Sequence, residues 1–300
     1  MSTGVLLMTY GAPRDEHDVP EYLGRVRGGR APSPEILAEM TRRYRVIGGS
    51  PLVRVTNAQA AALEHELGEG YRVRAGMRFS APTVREAIRD VAGEVDALVG
   101  IVLSPQWSDL LMSGYRHALE EAAAESGLPW DLARAWYDEP LFVELIATLV
   151  REARASLDRP AILLTAHSIP RRVHDAEPGY VAQLRETADL VARASGLAQD
   201  EWRFAFQSAG HTQEEWLRPD LVELFPELHA MGARSVLVVP IQFLADHLEV
   251  LYDLDVAARA QAEAAGLEYH RIAMPNDRPE LARALARVVR AASLATTRSR

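Results

Sequence analysis

A chain of 300 residues exceeds one ordinary hydrophobic core and suits two domains of about 150 residues each. Its formal charge of −9 argues against a general nucleic-acid binder, and all 33 basic residues are arginine, which excludes lysine Schiff-base chemistry and a Walker-A lysine. Cysteine is absent too, so disulfides, thiolate zinc sites and cysteine-held iron–sulfur clusters are excluded, and any metal must be met by nitrogen and oxygen ligands.

The opening MSTGVLLMTYGAP has neither a basic n-region nor an apolar stretch long enough for a signal or membrane span, and a first strand is predicted at once, VLLMT (5–9). A helical stretch (57–68) leads to the strands YRVRAGM (71–77) and ALVGIVLS (97–104), then helical stretches at 109–125 and 141–157. The pattern resumes with strand AILLTA (161–166), helix 180–195, strands WRFAFQ (202–207) and SVLVVPI (235–241), and a helix over 246–265. Apolar runs of strand length alternating with helical segments mean an α/β protein with parallel sheets covered by helices. ASLDRPA (155–161) is the junction between a first domain, 1–154, and a second, 155–300, whose C-terminal helix is free to pack back on the first.

The halves resemble each other. Aligning VLLMTYGAP (5–13) with ILLTAHSIP (162–170) pairs Tyr10 with His167, and VLSPQ (102–106) echoes VVPIQ (238–242). If two such domains face each other, Tyr10 and His167 line opposite walls of one cleft.

His167 ends the apolar run AILLTA, so its imidazole emerges at a strand's carboxyl end, where open α/β sheets hold ligands. A lone histidine is more often one satisfied by hydrogen bonds at a strand end, a reading that the strand-end position and the small, turn-forming Ser168 and Pro170 weaken. Glu249 and Asp253, four apart, share one face of the predicted helix, although Asp246 and Glu249 also fit the spacing of a capping box. A neutral imidazole facing two carboxylates can hold a divalent cation, accept protons, or do both. Between Arg25 and Arg54 seven arginines stand against two acids, which suggests an anion site or simply arginine-rich solvated faces. IGGSPL (47–52) allows a close backbone approach to a planar or anionic ligand, or a plain turn. His17, His65, His117 and His229 read as solvated, and His211 as a loop residue without a clear role. Motifs of the GxGxxG, GxSxG, P-loop and HExxH types are absent.

The motifs MTYGAP (8–13), RYRVIGGSPL (43–52), SPQWS (104–108), WYDEP (136–140), TAHSIP (165–170), FQSAGHTQEEWLRPD (206–220), VVPIQFLADHLEVLYDLD (238–255) and MPNDRPE (274–280) stand in an order and spacing that resemble the ferrochelatases, enzymes that insert ferrous iron into a porphyrin. The resemblance covers essentially the whole chain. It implies a chelatase-type architecture of two flavodoxin-like (Rossmann-like) domains with the ligand cleft between them. It implies that His167 and Glu249 are the catalytic pair and touch the metal, with Asp253 as a relay one turn on.

MTYGAP together with RVRGGRAP (25–32) is similar to the bacterial ferrochelatases that act on coproporphyrin III, a porphyrin with four propionates. By that likeness Tyr10, Arg27, Arg43, Tyr44, Ser50 and Tyr115 are substrate-binding, and Tyr10 is axial to the product iron. The implied activity is insertion of Fe²⁺ into coproporphyrin III with release of two protons, in the cytoplasm, for haem synthesis. Fe²⁺ is then a substrate, with no permanently bound cofactor and no iron–sulfur cluster. The partners implied are the porphyrin and iron, plus a transient acceptor of the product, for a monomer without nucleic acid or membrane anchor. A protoporphyrin IX ferrochelatase, a cobalt or nickel tetrapyrrole chelatase and a non-catalytic tetrapyrrole-binding protein are the alternatives. Two positions depart from the family pattern: Ala257 stands where a third acid is frequent, and GMRFS places Phe79 where relatives tend to have histidine, so no auxiliary metal site is expected there.

Overall fold

The computed structural model describes residues 2–210 and 213–298, so His211 lies outside the described residues. Two four-stranded parallel sheets form. The first contains β1 (Thr3–Thr9), β2 (Tyr71–Met77), β3 (Ala97–Val102) and β4 (Trp130–Ala133) in the order β2-β1-β3-β4. The second contains β5 (Ala161–His167), β6 (Trp202–Gln207), β7 (Ser235–Pro240) and β8 (Glu268–Arg271) in the order β6-β5-β7-β8. The identical order makes β1 and β5 equivalent, each at the point where its sheet changes winding direction. Tyr10 directly follows β1 and His167 is the last residue of β5, so both occupy the switch-point crevice of their own sheet.

The reason the strands read as apolar runs is visible in β1. Val5, Leu6, Leu7 and Met8 are all fully buried; Val5 and Leu7 point into one core cluster, Leu6 and Met8 into another. A parallel strand covered on both faces has no solvent side to carry polar residues. β4 and β8 are edge strands of four residues each, WDLA and EYHR, too short and too mixed to signal themselves in the sequence.

The sheets share a core. α6 (Pro140–Arg154) buries Phe142 and Ile146 together with Val5 and Leu7 of β1, Ile162 and Leu164 of β5, and Leu285 and Val289 of α11 (Pro279–Arg298). The C-terminal helix α11 also packs on α3 (Leu52–Leu67) beside the first sheet. These helices set the spacing between the two sheets and therefore between the walls of the crevice they enclose.

The segment 246–265 is not one α-helix. It begins as a π-helix, Glu249–Ala258, and continues as α10 (Arg259–Ala264). With i→i+5 hydrogen bonds, such as Arg259 N–H to Leu254 O, each turn is wider, and residues four and five apart bracket one face. Glu249 and Asp253 thus stay on neighbouring positions of the same side. The capping-box spacing of Asp246 and Glu249 is not used: no side chain caps this helix, and Asp246 bonds instead with Asn276, through its own amide at 2.9 Å and through Asn276 Nδ2 at 2.8 Å.

Candidate active site

A cavity of about 570 Å³ opens between the carboxyl ends of the two sheets. Tyr10, Arg78 and Tyr115 face it from the first half, and His167, His247 and Glu249 from the second. Tyr44 and Ser50 complete the wall on the side of the first half.

Tyr10 reaches this position because Gly11 takes a φ of 89° and turns the chain after β1; a Cβ there would lie 2.3 Å from Ser80 Oγ. The phenol ring rests on Phe79 with centroids 4.5 Å apart, yet the residue is 43 % exposed to the cavity. Burial and the Glu249 charge push its ionisation up and the Arg78 guanidinium opposes them, with a net rise, so Tyr10 meets a ligand as a phenol. Tyr44 and Tyr115 are pushed up by burial as well.

His167 is held at two points. Its amide donates to Gln242 Oε1 at 2.9 Å, and Gln242 Nε2 is itself fixed on Tyr180 Oη at 2.6 Å. Its Nδ1 lies 2.5 Å from the Ser168 carbonyl oxygen. A carbonyl only accepts, so Nδ1 carries the proton in the neutral ring, and the Nε2 lone pair is left facing the cavity. Nε2 is 3.7 Å from Glu249 Oε2, and the same oxygen is 3.8 Å from Nε2 of His247, whose Nδ1 is in turn on the Ala245 carbonyl at 2.9 Å. One carboxylate therefore stands between two imidazoles, each oriented by a backbone carbonyl. Among the described residues no group of three or more His, Asp or Glu side chains is arranged to hold a metal ion.

Burial alone would raise the Glu249 carboxyl; the positive charge that His167 and His247 carry when protonated, with their Nε2 atoms 3.7 and 3.8 Å from the carboxylate, outweighs it and holds the carboxyl below its usual range. Burial would lower the His247 imidazole, but the Glu249 carboxylate 3.8 Å away, the Ala245 carbonyl and the Asp246 charge raise it. The carboxylate share of the pair's stabilisation is present above the unfolded value of 4.5 and lost as pH falls through the lowered folded value. The imidazolium share is present below the unfolded value of 6.5 and lost as pH rises through the raised folded value. The stability difference between the parent and Glu249→Gln is thus expected to be greatest between those two values and to shrink on either side, as urea unfolding across pH will measure. A difference that is flat with pH would show that the pairing is not electrostatic.

Other residues singled out in the sequence lie elsewhere. Asp253 is outside the cavity lining, 3.2 Å from Nη1 of Arg43. Burial and the Glu249 charge raise its carboxyl, against Ser208, Arg43 and His167. Arg43 is also outside the lining: it is clamped between Glu39 at 2.7 Å and Asp253, with its guanidinium 4.8 Å from the centre of the Tyr252 ring. Arg27 is exposed at the C-terminal cap of α1 (Val19–Val26), one residue beyond the cavity-lining Val26. IGGS closes α2 (Pro34–Val46) as a turn and delivers Ser50 to the cavity. Phe79 supports Tyr10, and Ala257 brings no acid to the π-helix.

His247, Arg78 and Gln242 were not singled out as site residues in the sequence. Gln242 had a signal in the repeat that pairs it with Gln106, but the two diverge: Gln106 is fully buried on Thr187 Oγ1, whereas Gln242 holds His167.

SirB from Bacillus subtilis with Fe³⁺ superposes with a TM-score of 0.59 over 97 % of this chain and 95 % of that chain at 12 % identity, a likeness of fold. Two flavodoxin-like sheets with a cavity at their carboxyl ends are the chelatase-type architecture. The family profile described as Ferrochelatase matches residues 2–293. The chain is 36 % identical over 298 residues to the coproporphyrin III ferrochelatase of Halalkalibacterium halodurans, covering 95 % of this chain and 96 % of that protein. It is 37 % identical over 300 residues to the protein of the same name from Anoxybacillus flavithermus, covering 95 % of each. The chain belongs to the ferrochelatase family.

Proposed function

We propose that this chain is a coproporphyrin III ferrochelatase, which inserts Fe²⁺ into coproporphyrin III and releases two protons. The observation that carries the reading is the free Nε2 of His167 beside Glu249, across a cavity from Tyr10. Metallation makes three demands: the planar ring must be bent so that its nitrogen lone pairs meet the ion, two N–H protons must leave, and iron must shed water. A cleft whose walls are spaced by α6 and α11 can favour a bent ring over a flat one. His167 Nε2 accepts a pyrrole proton. Glu249, kept ionised, draws the dication towards the ring and, as a single oxygen ligand, releases it again.

The substrate preference is supported by the names of the relatives and by the exposed Arg27, one residue beyond the cavity-lining Val26, since four propionates need cations that two do not. In this reading Fe²⁺ is substrate, no cofactor is permanently bound, and the chain acts as a cytoplasmic monomer that hands its product to a further protein. Among the described residues no helix is long and apolar enough to cross a membrane.

The test is anaerobic Fe²⁺ with either coproporphyrin III or protoporphyrin IX, followed by porphyrin absorbance. Faster metallation of coproporphyrin is expected. Faster use of protoporphyrin would overturn the substrate, and binding without metallation of either would leave only a tetrapyrrole binder.

A further inference from the structure

Arg78 lines the cavity on the Tyr10 wall, and nothing above gives it a role. Its backbone is strapped to the end of β1: Arg78 N–H donates to Thr9 O at 2.9 Å and Phe79 N–H to Tyr10 O at 3.0 Å. Its guanidinium carbon lies 4.7 Å from the centre of the Phe79 ring and 5.5 Å from that of Tyr115, so two aromatic faces hold the cation. No carboxylate among the described residues pairs with it.

The space it occupies exists because residue 114 has no side chain. A Cβ on Gly114 would lie 2.0 Å from Arg78 Nη2 and 2.1 Å from Cζ. Gly114 sits inside α5 (Asp109–Ser126), where glycine is a far poorer helix former than alanine. The helix thus carries a residue that weakens it, at the one place where the guanidinium needs room.

Resting on the ferrochelatase reading, we propose that Arg78 is a further catalytic residue: its fixed positive charge contacts the porphyrin from the Tyr10 wall and stabilises the negative charge that the ring nitrogens gain as their protons leave. Two N–H bonds break, the protons pass to the His167–Glu249 side and on to water, four bonds from nitrogen to iron form, and iron stays in the +2 state. A cation preorganised by the protein beside developing negative charge acts more strongly than a mobile one in solvent. The same charge repels free Fe²⁺ from the Tyr10 wall, so the ion enters from the opposite face, where Glu249 attracts it. Once the deprotonated ring has neutralised the iron, that repulsion is gone and Tyr10 can approach the metal.

The experiment compares the parent chain with Arg78→Met, Arg78→Lys, Gly114→Ala and the double variant Arg78→Met/Gly114→Ala, using Fe²⁺ and coproporphyrin III. Arg78→Met is expected to lower kcat by about 10- to 100-fold, with porphyrin binding, read by fluorescence quenching, little changed. Arg78→Lys, which keeps the charge, recovers most of the loss. Gly114→Ala is expected to lower kcat in the same way while the thermal midpoint holds or rises, because only the far end of a flexible side chain must move and alanine favours the helix. In the Arg78→Met background Gly114→Ala costs nothing further. Parental kcat in Arg78→Met, or additive losses in the double variant, would overturn the role while leaving the ferrochelatase reading intact. A parent that binds coproporphyrin without metallating it overturns that reading, and this role with it.

Discussion

Replacing His167 with Ala is expected to lower kcat by about 100- to 10,000-fold in a chain that still folds. The imidazole is the group whose free nitrogen faces the cavity at the carboxyl end of β5. Folding tolerates the change because the side chain is 28 % exposed, and the bond from Gln242 goes to the backbone amide, which alanine retains. Glu249→Gln keeps the shape and removes the charge, so its loss should appear as a raised KM for Fe²⁺ as well as a lowered kcat. Steady-state metallation with each substrate varied in turn separates the two. Parental turnover by His167→Ala would remove that residue from the chemistry altogether.

The second large effect lies behind the π-helix. Arg271 is 12 % exposed in its side chain, makes two 2.7 Å bonds to the Asp255 carboxylate and stands 3.6 Å from Asp246. It ties the segment just before the helix and the helix itself to β8, and Asn276 fastens Asp246 from the other side. Arg271→Met would leave two largely buried acids without their counter-charge, and breaking such a pair from one side costs about 3 kcal/mol. A fall of that size in urea-unfolding stability is expected, with metallation falling too as the wall carrying His247 and Glu249 loosens. Adding Asp255→Leu to Arg271→Met should return part of the stability, since the stranded charge is removed. A midpoint unchanged by Arg271→Met would mean that solvent already shields these acids and that other contacts hold the helix.

Much of the fold was legible. β1, β3, β5 and β7, the inner strands, are near-continuous apolar runs because parallel strands buried on both faces have no polar side, and the edge strands β2 and β6 kept enough apolar residues to be read although Arg72, Arg74 and Arg203 interrupt them. The repeat of Tyr10 and His167 emerged from local alignment and corresponds to equivalent positions at the ends of β1 and β5. The edge strands β4 and β8 and helix α2, on which only Tyr44 is buried, were not legible, because little of their surface meets the core. The π-helix was read as an α-helix, since over four residues the two windings place Glu249 and Asp253 alike.

The site divides in the same way. His247 and Glu249 are two apart, a spacing that does not bring side chains together on a regular helix; they approach here because His247 precedes the helix and its ring is turned by the Ala245 carbonyl. Arg43 looked like a free cation for substrate, yet it is paired with Asp253, 210 residues away. Arg78 owes its place to Gly114 on another element. By itself the sequence determined the parallel α/β class, the strand ends that carry Tyr10 and His167, and the exclusion of thiolate and lysine chemistry, because burial and composition are written locally along the chain. Which cations face the cavity and which are spent on acids, and how Glu249 comes to lie between two imidazoles, only the tertiary structure decided. Charge interactions depend on distance and on the exclusion of water, and for residues far apart in the chain both are set by the fold alone.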